Sequence, residues 1–258
     1  MITITHIDTA CVLIDIAGYK ILTDPTLDAP GKLYYHGSGG FSRKTSVPAA
    51  AISAADIDLV LLSHHQHKDN FDREGRKLTE QVPLVLSTRA AAKILPNARG
   101  LKAWESFTIA DQRLPDLKIT ATPAQHHPWW VPEFFAGEVI GFVIECRQLP
   151  DGALYISGDT VYFKGLGEIG RRFHIDIGIF HVGAVQFRYL TGWGKYTFNS
   201  RELLKTIHEL KPAHVIPVHF KGWTHFKEKE PVLRNALQQD KAVWEKTIIP
   251  EPGVPIVL

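Results

Sequence analysis

Cysteine is nearly absent from this chain, with 2 in 258 residues. Cys11 and Cys146 stand far apart with no other thiol nearby, so a disulfide framework and a thiolate metal site are both excluded, and two reduced, buried thiols are expected. Net charge is small too. The 29 basic and 27 acidic residues leave +2, spread along the chain, with no polyelectrolyte arm to hold a phosphate backbone. Nucleic acid is therefore not expected as a partner. Long apolar runs are missing, and a mean hydropathy of -0.06 excludes a membrane-embedded chain. The opening MITITHIDTACVLIDI alternates apolar and polar residues instead of placing a basic stretch before an apolar one, which predicts neither a signal peptide nor an anchor and hence a cytoplasmic protein. Hydrophobic residues at 45% and charged residues at 22% suit a globular chain with a real core, here read as one domain over residues 1–258. What is unusual is histidine, at 13.

Along the chain the first quarter reads as strands, Ile2–Ile7, Ala10–Ile16 and Tyr19–Thr23, the last stopped by Asp24-Pro25. Residues 29–50 are rich in Gly, Ser, Pro and aromatics without a clear period and read as a long ordered loop of the kind that borders functional sites. A buried strand is expected at Ile57–Leu62, a helix at about Asp72–Gln81, a strand at Leu84–Ser87 and a short helix near Thr88–Leu95. Strands near Leu101–Trp104 and Leu117–Thr122 close the first half. The second half has strands at Val139–Glu145, Ala153–Ser157, Ile175–His181 and His214–Val218, with helices around Gly165–Phe173, Asn199–Leu210 and Pro231–Asp240. Two halves of strands followed by helices predict two packed sheets with helices outside.

The strongest chemical signal is Ser63-His64-His65-Gln66-His67-Lys68-Asp69-Asn70, placed directly after the buried strand. A strand end is rigid, and three histidines with an aspartate supply nitrogen and oxygen donors that can converge on a metal there. In extended backbone residues i and i+2 share a side, which would pair His65 with His67. A plain polar loop whose Asp69, Asn70 and Asp72 cap the next helix is the alternative, and capping and ligation can coexist.

The run resembles the His-x-His-x-Asp-His motif of the metallo-β-lactamase superfamily, and other stations follow in order. Thr-Pro-Ala-Gln-His126 looks like the segment with the third histidine of the first metal site; Ser157-Gly158-Asp159-Thr160 is similar to the family's Gly-Asp-Thr with its bridging aspartate; Ile216-Pro-Val-His219 resembles its final histidine. Ile4-Thr-His6-Ile and Ile21-Leu-Thr-Asp24-Pro25 resemble the subgroup that includes ascorbate-6-phosphate lactonase and the phospholipase-D-like hydrolases of N-acyl phosphatidylethanolamine. Close relatives with Ser-His-Asp-Gln-His-x-Asp-Asn would make His64 the first ligand, whereas regular spacing picks His65, so both stay open. Asn70 stands where the family usually has a histidine for the second metal, which weakens or empties that site, although Asp69, Asp159 and His219 remain for it.

The resemblance implies a four-layer αββα sandwich of the metallo-β-lactamase type and a metal-dependent hydrolase. One or two ions are implied, with zinc foremost and manganese or iron compatible with the mixed donors. The first ion would sit on His64 or His65, His67 and His126 with Asp159 close by, and Asp69 would orient a metal-bound hydroxide or take its proton. The expected reaction is cleavage of an ester, lactone or phosphodiester bond in a small molecule. The rivals are a phosphodiesterase or nuclease of the same fold, and a catalytically weak metal-binding or sensing module. Substrate contacts are expected from His181 at a strand end, Trp129 in an aromatic wall, Asn70 and Arg188, the last with Lys195 able to hold an anionic group. His225 is a weaker candidate of the same kind; His6, His36, His174, His208 and His214 read as isolated surface or core residues.

Overall fold

The computed structural model describes residues 1–36, 40–132, 136–187 and 191–258. Its first sheet has seven strands: β1 Ile2–Asp8, β2 Cys11–Ile16, β3 Tyr19–Thr23, β6 Leu59–Leu62, β7 Val85–Thr88, β8 Ala98–Leu101 and β15 Pro255–Val257, in the order β15-β1-β2-β3-β6-β7-β8. The second has six: β9 Ser106–Ile109, β10 Leu117–Pro123, β11 Ile140–Glu145, β12 Ala153–Ile156, β13 Ile175–His181 and β14 His214–Val218, in the order β14-β13-β12-β11-β10-β9. Between β3 and β6, where a loop is expected, β4 Leu33–Tyr35 and β5 Phe41–Arg43 form a two-stranded ribbon.

Why the sheets stack is visible in β6. Leu59 and Leu61 join an inter-sheet core with Ile14, Ile119, Ile156 and Ile179, while Val60 and Leu62 face outward with Leu78 and Val82. Period-2 alternation of an all-apolar strand therefore buries both faces. Strand β12 repeats this, with Leu154 and Ile156 inward and Tyr155 outward against Leu203 and Ile207. Helices α1 Arg73–Thr79 and α2 Arg89–Ala92 belong to the first half; α3 Leu166–Arg172, α4 Ser200–Leu210, α5 Glu230–Gln238 and α6 Lys241–Trp244 belong to the second. Residues of α3 to α6 supply the second outer core, which completes the four-layer αββα sandwich.

Three local differences have physical causes. The expected strand at Leu101–Trp104 ends instead at Leu101, because Trp104 turns at φ +72 and residue 105 closes a turn onto Lys102. Strand β9 beyond that turn and the short terminal β15, 4 and 3 residues long, lie outside the expected elements. Helix α1 is capped by Asp72, whose side chain accepts from the Gly75 N–H at 2.9 Å, leaving Asp69 and Asn70 free of that duty. No helix among the described residues is long and apolar enough to cross a membrane, and Cys11 and Cys146 are free thiols, the first buried.

Strand direction places the site. Strands β12, β13 and β14 are parallel, and β10 shares their direction through two antiparallel steps across β11. Their C-terminal ends, which lead to His126, Asp159, His181 and His219, therefore open at one rim. The end of β6 meets this rim: the Ile140 N–H bonds to the Ser63 carbonyl at 3.2 Å.

Candidate metal centre

After β6 the backbone bends, and the Phe71 N–H closes onto the His67 carbonyl at 2.9 Å. The bend overturns the extended geometry behind the His65–His67 pair. It brings His64 and His67 together instead, with Nε2 of His64 3.1 Å from Nδ1 of His67. The Nε2 atom of His126, arriving from β10, lies 3.0 Å from the same Nδ1. His65 stands outside every group of possible metal ligands among the described residues.

Two of these three imidazoles are wired from behind. The Ser63 hydroxyl donates to Asp24 Oδ1 at 2.9 Å, so its oxygen accepts from His64 Nδ1, also at 2.9 Å. His126 donates from Nδ1 to the Tyr196 carbonyl at 2.8 Å. Both rings thus present the Nε2 lone pair to the centre, the tautomer a metal requires. Burial keeps His64, His67 and His126 neutral by pushing their pKa values down, that of His64 to about 3. Three neutral nitrogens, two of them on fully buried rings about 3 Å from that of the half-buried His67, fit one ion with bonds of about 2.0–2.1 Å. The residues present therefore suit a borderline divalent ion.

Beside this triad Asp69, Asp159 and His219 form a second group. His219 sits in the left-handed region at φ +64, held by its N–H to the Thr9 carbonyl at 2.8 Å. Burial lowers the His219 pKa, but Asp159 and Asp69 outweigh it and raise the value to about 9. Burial would raise both carboxyls, yet the histidines hold them down: His219 and His181 for Asp159, and His225 and His219 for Asp69. Gly158 makes the turn before Asp159 at φ +58, where a Cβ would lie 2.6 Å from the Ile140 carbonyl oxygen.

Asn70 spans this second group. Its Oδ1 is 3.1 Å from His219 Nε2 and its Nδ2 donates to Asp159 Oδ1 at 3.2 Å. The expected substrate contact by His181 is overturned: the residue is fully buried and its Nδ1 bonds Asp159 Oδ1 at 3.0 Å, so it positions that carboxylate. Lys195 is tied to Glu202 at 2.8 Å rather than held open for an anion, and Arg188 lies outside the described residues. Trp129 is 83% exposed with its ring edge-on to Trp130. A Cβ on Gly194 would meet Pro128 and Trp130, so this aromatic loop packs on the one that carries Tyr196.

His36, read as isolated, joins a third group with Asp69 and His225. His225 Nε2 is 2.8 Å from Asp69 Oδ2, and the His36 and His225 rings are 4.9 Å apart. Burial lowers the His36 pKa to about 4. The signal that could have found it is its place in the aromatic-rich 29–50 segment. Asp24 stands behind His64 with the Ser63 hydroxyl between them, and burial raises its pKa well above the usual carboxylate value.

Known proteins agree with this picture. Residues 19–220 match the profile of the β-lactamase superfamily domain. A UPF0173 metal-dependent hydrolase of Pyrobaculum arsenaticum is 25% identical over 258 residues, spanning 95% of this chain and 94% of its own. Isothiocyanate hydrolase from Delia radicum gut bacteria superposes with a TM-score of 0.79 at 24% identity, covering 99% and 98% of the two chains. A possible metal-dependent hydrolase from Veillonella parvula gives 0.81 at 20% identity, with 99% of each chain covered. The two structural likenesses speak for the fold, and the profile spans most of the sequence that builds it: the chain belongs to the β-lactamase superfamily and has the metallo-β-lactamase fold.

Proposed function

We propose that this chain is a metal-dependent hydrolase that cleaves an ester, lactone or phosphodiester bond in a small molecule, with its first ion, zinc foremost, on His64, His67 and His126. The observation that carries the reading is the convergence of three neutral imidazole nitrogens, with those of His64 and His126 3.1 and 3.0 Å from Nδ1 of His67 and both of these rings oriented from behind. A divalent ion held there supplies a Lewis acid and makes water available as a nucleophile near neutral pH. The chain's own part is positioning. Asp69, held well below the usual carboxylate range with His225 and His219 against it, stays anionic and orients a water rather than keeping its proton. Asp159, fixed by His181 and Asn70, adds a second fixed negative charge at the rim. The likeness of the Asp24-Pro25 segment to the lactonase and phospholipase-D-like subgroup supports the choice of bond classes.

The experiment is to strip the purified chain with a chelator, return zinc, manganese or iron(II) one at a time, and assay an aryl ester, a lactone and an aryl phosphodiester. Metal-restored turnover of one class supports the reading. Turnover that survives complete metal removal would sink it. Bound metal with no turnover of any class would favour a binding or sensing module, the rival that the Asn70 bridge makes specific.

A further inference from the structure

Asp69 faces two ways. On one side lie Asp159 and His219, whose ligand atoms already have partners: Asn70 bridges them, and His181 adds a bond to Asp159 Oδ1. On the other side Asp69 Oδ1 is buried and, among the described residues, accepts no hydrogen bond, a costly state for a carboxylate oxygen. On that side His36 Nδ1 lies 3.6 Å from it. That separation is too long for a hydrogen bond, and it is about the spacing of two ligand atoms that share one ion with bonds of about 2.0–2.2 Å.

The ring of His36 is aimed by its other nitrogen, since Nε2 meets Ser42 Oγ at 2.5 Å. His225 is the third arm, its Nε2 2.8 Å from Asp69 Oδ2, the one contact an ion here would replace. It stacks on Phe187 at 5.2 Å and 13°, and Trp223 stands edge-on to both His36 and His225 at 5.7 and 5.8 Å. The side chains are closed from water, at 2% exposure for His36 and 4% each for Asp69 and His225. Ligand atoms of the three residues all lie within 4.8 Å of one another. A ligand ring oriented by a hydrogen bond on its far nitrogen, inside an apolar wall, is how metal-binding histidines are held.

We infer that a second divalent cation binds on His36, Asp69 and His225, displaced from the Asp69, Asp159 and His219 position that Asn70 bridges. Two imidazoles and one carboxylate select a first-row transition ion over magnesium or calcium, which favour all-oxygen sets. Asp69 is shared between this site and the Asp159 and His219 group, so the inference rests on the hydrolase reading for its use but not for its detection.

The test is cobalt(II) binding to the metal-free full chain, followed by dialysis, elemental analysis and the visible d–d spectrum, with folding of each variant checked by circular dichroism. The wild-type chain binds two ions. His36→Gln and His225→Gln each keep one and weaken the other by more than about 10-fold, while His67→Ala loses the opposite one. Crystals of the wild-type chain soaked in cobalt should show an anomalous peak touching His36 and Asp69, which settles the matter even where a variant fails to fold. A second peak between Asp159 and His219, or two ions retained by both glutamine variants, overturns the inference. One ion, lost in His67→Ala and indifferent to His36 and His225, overturns it while leaving the hydrolase reading intact; no bound ion at all overturns both.

Discussion

The His64, His67 and His126 pocket and the Asp69, Asp159 and His219 group lie side by side yet are built in opposite ways. In the first, burial dominates and the imidazoles are neutral, with their lone pairs turned to a common centre. In the second, charge dominates: His219 is raised to about 9 between two carboxylates, and an amide ties the group together. An ion in the first replaces only the contacts of His67 Nδ1 with His64 and His126, whereas in the second it competes with bonds through Asn70 and His181. Metal-ligand side chains at one rim therefore predict different metal affinities once their partners are known.

The largest effect that sharpens this contrast is loss of a triad ring. His67→Ala and His126→Ala should each weaken first-ion binding and lower kcat/KM by more than about 100-fold, above the usual range for residues that only orient a ligand. Metal analysis after dialysis with steady-state assays checks this, and near-native metal content in either variant would break the comparison. Ser63→Ala removes only the group behind His64 and should weaken the first ion by about 10–100-fold without changing the substrate preference. Equilibrium titration with a zinc-competing dye measures it.

Stability of the metal-free chain should bend at both ends of the pH scale, from opposite regions. His64 is pushed down to about 3 by burial, so its neutral form favours folding above the ordinary histidine value of about 6.5, and that stability is lost as pH falls toward 3. For His219, burial lowers the pKa, but the carboxylates raise it to about 9, so its contribution is full below about 6.5 and is lost as pH rises through 9. Denaturant midpoints of metal-free wild type and His219→Gln between pH 5 and 10 test the alkaline arm; matching slopes above pH 7 would contradict it. The smallest expected effect is that of His65→Ala, which should change metal affinity by less than about 3-fold, well under the scale for ligand-orienting groups. Isothermal titration of His64→Ala and His65→Ala together decides between the two histidines, because only the former should collapse binding.

Much of the layout was legible before folding was considered. The all-apolar strand Leu59–Leu62 with ligand-type residues at its end, and Asp159 and His219 after two more such strands, announce a rim of converging side chains. The helix expected at Asn199–Leu210 forms as Ser200–Leu210, and Asn199 and Glu202 make the reciprocal capping box at its start. The choice of His64 was not legible, because it depends on a bend that closes on His67. Neither was the burial of His181, since a strand end can equally face solvent or, as here, Asp159. His36 and His225 looked unrelated because they sit in segments remote in sequence, which the site brings to one carboxylate.

By itself the sequence determined the periodicity of the strands, the order of the histidine and aspartate stations and the substitution of Asn70 for an imidazole. These are local properties, set by side-chain alternation and by which donor atoms each residue carries. The packing of the two sheets decided which nitrogens converge and, among the described residues, which buried carboxylate oxygens find a donor and which, Asp69 Oδ1 among them, do not. Those outcomes depend on distances between residues far apart in the chain. Such distances exist only once the strands have paired and the two faces of each sheet have been buried.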